Sequence, residues 1–122
     1  MPISTKKSPE YVLYRDGLTG VDAAPALADE ANSVNTSHYK YTNIQVIPSG
    51  GANPDVEVRW WSEEAGVFIK EHTAITKVGI GANTPFEFTV NSLSRKMMVV
   101  VTTLAAGSVK ILISGAELLH PQ

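Results

Sequence analysis

The stretch from Arg95 to Thr103 constrains the fold most, because its centre is apolar on both strand parities. The five central residues are all bulky and apolar: Met97, Val99 and Val101 on one parity, and Met98 and Val100 on the other. Successive side chains of a strand point to opposite faces, so both faces of this strand need cover. The stretch therefore predicts either a central strand covered on both sides or a strand whose outer face a partner buries.

This stretch is the middle of three strand-like runs between Thr84 and Leu118, which short turns connect. Shorter alternating runs precede it, beginning near Tyr11, His38, Val56, Val67 and Thr73. The turns between them are rich in Gly, Pro, Asn and Ser. Seven or eight short strands at this spacing predict an all-β antiparallel sandwich, and a jelly roll is one such topology. The sequence leaves the order of the strands open.

Several local features refine this prediction. Arg15-Asp16-Gly17 predicts a turn that ends the first strand, and a parity change near Thr42-Asn43 predicts a bulge. Tyr39 and Tyr41 share a parity, so we expect them on one face. Residues 1–10 predict a flexible N-terminal arm and residues 11–122 a single domain, within which 18–37 form a short helical turn or an irregular loop.

Composition excludes several classes of partner. The net charge is −2 and the basic residues are scattered, so we expect no nucleic acid partner. The longest apolar run, Met97–Val101, is too short to span a bilayer, so we expect no membrane partner. Charged residues make up only 18% of the chain. Either the surface is polar but uncharged, or part of it is buried in an assembly.

No group of residues predicts catalysis or a bound cofactor. His38, His72 and His120 are widely separated, and Glu63 and Glu64 fall at a turn, where solvated charge is expected. The loop Gly79–Asn83 lacks the spacing of a phosphate-binding loop, and a strand rather than a helix follows it. The chain has no cysteine. We therefore expect neither an enzyme nor a metal or cofactor site.

The pair Trp60-Trp61 carries the clearest sign of a binding surface. Trp60 shares the parity of Val56 and Val58, so it is expected in the core and Trp61 on the outer face. An outward tryptophan anchors protein interfaces or stacks on sugars. One hypothesis is a subunit or shell interface formed by three residues: Trp61, Met98 and Val100. The alternative is a carbohydrate-binding β-sandwich with a platform of Trp61, Tyr39 and Tyr41.

Four segments resemble small virion structural proteins of tailed bacteriophages, of the capsid decoration (cement) or tail-accessory type. The segments are a Trp-Ser-Glu turn, a Pro-Phe-Glu-Phe strand, a basic-Met strand and a closing strand: Trp61–Phe68, Pro85–Val90, Arg95–Thr103 and Gly107–Gly115. The resemblance covers roughly residues 55–117. These motifs are strand and turn patterns and contain no catalytic signature.

The resemblance implies a non-enzymatic β-sandwich that binds and stabilises a phage particle. It implies a homo-oligomer, with a trimer or dimer favoured, and contacts with other virion structural proteins. The expected location is the virion, assembled in the host cytoplasm. Low charge and a doubly apolar strand fit a protein that buries surface against copies of itself or against a shell.

Overall fold

A computed structural model of the chain describes residues 11–21, 33–71 and 76–117. Within these ranges the chain forms strands and connecting turns, and no helix occurs. The strands in chain order are β1 (Val12–Leu18), β2 (Val34–Asn35), β3 (Tyr39–Ser49), β4 (Asp55–Ser62), β5 (Val67–Lys70), β6 (Thr76–Val78), β7 (Phe86–Asn91), β8 (Lys96–Thr103) and β9 (Ser108–Glu117). The prediction of an all-β chain is confirmed. No helix in the described ranges is long and apolar enough to cross a membrane.

The strands form two antiparallel sheets. Sheet A has the order β1-β9-β3-β7, and sheet B has the order β2-β8-β4-β5, with β6 also paired to β4. Arg59 pairs with Lys70 of β5, whereas Glu57 pairs with Thr76 of β6, so β5 and β6 follow the same edge of β4. When β5 and β6 are counted as one interrupted edge strand, each sheet has four strands in the jelly-roll arrangement.

The main core lies between the two sheets. Sheet A contributes its inward aliphatic and aromatic residues: Ile44, Val46, Phe88, Val90, Val109, Ile111 and Ile113. Sheet B contributes the facing set: Val56, Val58, Trp60, Met97, Val99 and Val101. β7, β8 and β9 alternate between the sheets, so the last third of the chain spans the whole core instead of forming a three-stranded meander.

Two local predictions are wrong. The expected turn at Arg15–Gly17 lies inside β1, which continues to Leu18 through two irregularities in its register with β9. The positive φ of Gly17, 69°, accommodates one of these bends without ending the strand. The bulge in β3 lies between Tyr39 and Tyr41 instead of near Thr42, and burial alternates regularly from there to Ser49.

Other predictions fall on parts of the chain that the structure does not describe. The N-terminal arm, 1–10, lies outside the described residues, as does most of the segment predicted to be a helical turn or loop, 22–32. Residues 72–75, between β5 and β6, also lie outside them.

The turn between β8 and β9 packs against the end of β3. Gly107, in the turn between β8 and β9, has a φ of 73°. A Cβ atom at this position would lie 2.1 Å from the Ser49 carbonyl oxygen and 2.7 Å from the Ala52 nitrogen. The β8–β9 turn therefore packs directly against the backbone that follows β3.

We expect Gly107→Ala to lower the free energy of unfolding by about 3 kcal/mol or more, because backbone strain and a backbone clash add. Gly66→Ala is the matched control, since Gly66 has a φ of 68° and open space around it. The control should cost only the left-handed strain, about 1–2 kcal/mol. Denaturant titration of both variants measures the difference, and equal losses would contradict the proposed clash.

Candidate interaction surfaces

The outer face of sheet B carries a second apolar cluster, separate from the main core. This outer cluster consists of Phe68, Met98 and Val100, with Trp61 packed against it. Its three members are 1%, 1% and 4% exposed, although they lie on the outward parity of their strands. The outer face of sheet B is therefore a packed layer of the same chain.

The adjacent tryptophans divide between the two layers, as predicted. Trp60 is 5% exposed in the main core, and its indole N–H donates a hydrogen bond to the Glu71 carboxylate. Trp61 lies on the opposite face and meets Phe68 edge-on, with ring centroids 5.0 Å apart. The Lys96 ammonium lies 5.5 Å from the Trp61 ring centroid, a cation–π contact. Trp61 is thus held between an aromatic ring and a cation.

An ion cluster continues the same face toward the start of β4. Glu57 is only 6% exposed, and the Arg59 Nε lies 2.7 Å from its carboxylate. The Lys70 ammonium lies 3.8 Å from the other carboxylate oxygen. A buried carboxylate is tolerated when cations and hydrogen bonds compensate it. The two cations fill this role, so Glu57 is a structural charge.

A second ion pair borders Trp61. Arg95, directly before β8, donates a hydrogen bond to the Glu63 carboxylate in the β4–β5 turn. This bond is the main reason that the pKa of Glu63 lies below its usual value. Close to this pair, the Trp61 indole N–H is buried and makes no hydrogen bond to the described residues.

The outer face of sheet A differs in kind, because hydrogen-bonded polar side chains cover it. Tyr11 and the Gln45 amide both donate to the Glu87 carboxylate, the latter over 3.1 Å. Thr89 donates to the Asn43 amide oxygen over 2.7 Å. This polar ladder joins β3 to β7 and to the residue that precedes β1. It gives the outer face of sheet A a polar surface.

The sugar-stacking platform predicted from Trp61, Tyr39 and Tyr41 does not form. Trp61 lies on the outer face of sheet B, whereas Tyr41, 39% exposed, lies on the outer face of sheet A. The bulge in β3 places Tyr39 on the inner side, where its ring lies against the backbone of Gly115. The expectation that the two tyrosines share a face is wrong, because the irregular register inverts the parity between them.

The predicted interface residues lie close together, but not as an open patch. Met98 and Val100 are buried within one chain, next to Trp61, which is half-buried. The sequence correctly separates Met97 from Met98 onto opposite faces. It misses Phe68, a residue of β5 that packs in the same outer cluster as Met98 and Val100. The outward parity of Phe68 was readable from Val67–Glu71, but its cross-strand neighbours depend on the sheet order.

No metal site is evident in the described ranges, where no group of three or more His, Asp or Glu side chains converges. His38 is exposed, and His72 and His120 lie outside these ranges. In the glycine loop, Gly79 and Gly81 donate their N–H groups to the side chains of Asp55 and Asn53. These main-chain donors are thus engaged within the chain, as expected for a structural turn.

Comparison with known proteins adds one structural likeness. No family model matches the chain, and no curated protein matches it. The crystal structure of the SPBc2 prophage-derived protein YomS is similar, with a TM-score of 0.58 and 11% sequence identity. The similarity covers 95% of this chain and 100% of that protein. At this identity the comparison supports the fold, and it shows that both chains are of nearly the same extent.

We expect Met98→Ala to destabilise the isolated chain by about 2–4 kcal/mol, because the outer cluster is buried without a partner. Leu93→Ala is the control: Leu93 is 62% exposed in the turn before β8, and its loss should cost less than about 0.5 kcal/mol. Unfolding is measured at two protein concentrations to separate folding from association. A Met98→Ala variant that unfolds like the parent but associates less would contradict the buried cluster.

Glu63 should titrate below its usual pKa of 4.5, since Arg95 stabilises the ionised form. Because the folded-state pKa lies below the unfolded one, the ion pair favours folding above pH 4.5. That contribution is lost as the pH falls through the folded-state pKa. NMR titration of the Glu63 carboxyl carbon measures it, and Arg95→Gln should move the midpoint back upward. A midpoint at or above 4.5 in the parent chain would refute the contact.

Proposed function

We propose that the chain is a structural protein of a tailed bacteriophage particle, which acts by binding and not by catalysis. It decorates the capsid or completes the tail as a homo-oligomer in contact with other virion proteins. The observation that carries the proposal is the match to a prophage-derived protein over 95% of this chain and 100% of the other. The jelly roll is also an architecture that viral capsid proteins use.

The segments that resemble phage virion proteins support the proposal independently. Trp61–Phe68 forms the β4–β5 hairpin turn and its flanks, and Pro85–Val90 enters β7. Arg95–Thr103 and Gly107–Gly115 comprise β8 and most of β9. These four segments supply strands to both sheets and to both apolar clusters. The resemblance therefore concerns the elements that build the sandwich.

The two outer faces suit a protein that serves as a rigid binding block. On sheet B, the carboxylates of Glu57 and Glu63 are engaged by neighbouring cations. On sheet A, Glu87 is engaged by Tyr11 and Gln45. Side chains fixed in this way lose little conformational entropy when a partner binds. The proposal assigns these groups to holding the two outer faces in a fixed shape.

The chain should be present in purified particles of the phage that encodes it, in a fixed ratio to the major capsid or tail protein. Quantitative mass spectrometry of gradient-purified virions measures the ratio, and antibody labelling in electron micrographs locates it. A phage protein of similar size that acts only inside the infected cell serves as the control for carry-over. Absence of the chain from particles, or recovery no higher than the control, would overturn the proposal.

A further inference from the structure

The edges of the two sheets differ in how well they are protected. β1 and β7 are the edges of sheet A, and β2 and the interrupted β5–β6 strand are the edges of sheet B. An edge strand leaves main-chain donors and acceptors free to pair with another chain. Proteins limit such pairing with short strands, bulges and charges.

Three of the four edges carry such protection. β1 has two register irregularities along its pairing with β9, and Asp16 lies exposed within it. β2 is only two residues long. β5 and β6 are two separate strands of only four and three residues. None of these edges offers a long, regular ladder to a partner.

β7 lacks such protection. It contains six residues, and its register with β3 runs without irregularity from Phe86 to Asn91. Within the part of the chain that the structure describes, β7 pairs with β3 alone. Its sequence, Phe-Glu-Phe-Thr-Val-Asn, has high strand propensity, one charge and no proline. Such a segment at a free edge pairs readily with another strand.

Exposed apolar side chains lie on the same side of the sandwich. β6 is next to β7 across the two sheets, since the Lys77 ammonium lies 5.5 Å from the Phe88 ring centroid. Along the β5–β6 edge, Ile69 and Val78 are 50% and 63% exposed, and Ile80, just after β6, is 67% exposed. An unpaired edge and large exposed aliphatic residues together mark an interaction surface.

We infer that β7 pairs with β7 of a second copy of this chain. The two strands run antiparallel about a two-fold axis perpendicular to sheet A, and the two copies of sheet A become one continuous eight-stranded sheet. The aliphatic side chains of the β5–β6 edge then pack between the subunits. This inference rests on the homo-oligomer in the proposed function and specifies which strand joins its subunits.

The sequence of β7 is compatible with itself in this pairing. The two-fold axis places residues of equal parity opposite each other. Two registers give the longest overlap: in the first, Phe88 faces Phe88 of the second copy, and in the second, Thr89 faces Thr89. In the first register Glu87 faces Thr89 of the second copy, and in the second it faces Asn91. Neither register places two carboxylates opposite each other, which would be unfavourable. In the first register Phe86 also faces Val90, so apolar side chains meet on the inner face.

The contact also restricts the assembly. A two-fold contact is isologous, so it joins subunits in pairs. An oligomer built on β7 is therefore a dimer or contains an even number of subunits. Of the trimer and dimer that the sequence favours, the β7 edge selects the dimer.

Thiol cross-linking tests the contact cleanly, because the chain has no cysteine of its own. The variant Glu87→Cys/Thr89→Cys places thiols opposite each other in both registers. A short bifunctional thiol reagent should link it into covalent dimers at micromolar concentration. Leu13→Cys, on β1 at the other edge of sheet A and 52% exposed, is the matched control and should remain monomeric on denaturing gels. Equal cross-linking of both variants, or none of the β7 variant, would overturn the inference.

Sedimentation equilibrium of the full chain gives the second readout. The parent should show twice the chain mass of 13.1 kDa, or an even multiple of it. Ile69→Lys/Val78→Lys should raise the dimer Kd at least about tenfold, with far-UV circular dichroism unchanged. The pairing is refuted if the parent forms trimers. It is also refuted if the parent stays monomeric at about 100 µM, since its dimer Kd would then lie well above the micromolar range. Particle content tests the virion role separately. A monomer found in virions overturns this inference and the homo-oligomer but leaves the virion role standing, whereas a β7-linked dimer absent from virions overturns only the virion role.

Discussion

The structure depends on the need to cover both faces of β8. Met97, Val99 and Val101 point inward and pack against sheet A in the main core. Met98 and Val100 point outward and need cover from other side chains. Phe68 and Trp61 of the β4–β5 hairpin pack in the same outer cluster as Met98 and Val100 and contribute to this cover. One apolar cluster therefore lies on each face of β8: the main core on the inner face and the outer cluster on the other. The ion cluster of Glu57 seals the end of the outer layer.

The strand period alone is enough to predict much of this arrangement. It indicates the all-β class and the sandwich, and it separates Trp60 from Trp61 and Met97 from Met98 onto opposite faces. These inferences succeed because side-chain alternation is a local property of an extended chain. The family-like segments point to the same strands. The doubly apolar character of β8 is also visible from the sequence.

The rest requires information that is not local. The inward turn of Tyr39 depends on a bulge, which in turn depends on Gly115 in β9 leaving space for the ring. The sequence leaves open whether the same chain or a partner covers Met98, because the strand period does not show that β8 lies beside β4 with Met98 on the same outer face as Phe68. The glycan platform fails for the same reason, since strand order decides which faces share a side. Sheet order and register are set by the packing of distant segments.

The pairing of β1 with β9 has a consequence for how the chain reaches this fold. These are the first and last strands of the described structure, and they lie side by side in sheet A. The β4–β5 hairpin is local and can form early, whereas sheet A cannot be completed until nearly all of the chain is available. A chain still emerging from the ribosome would hold β8 with its inward face uncovered. Synthesis of the last strand is thus the step that commits the molecule to its native state.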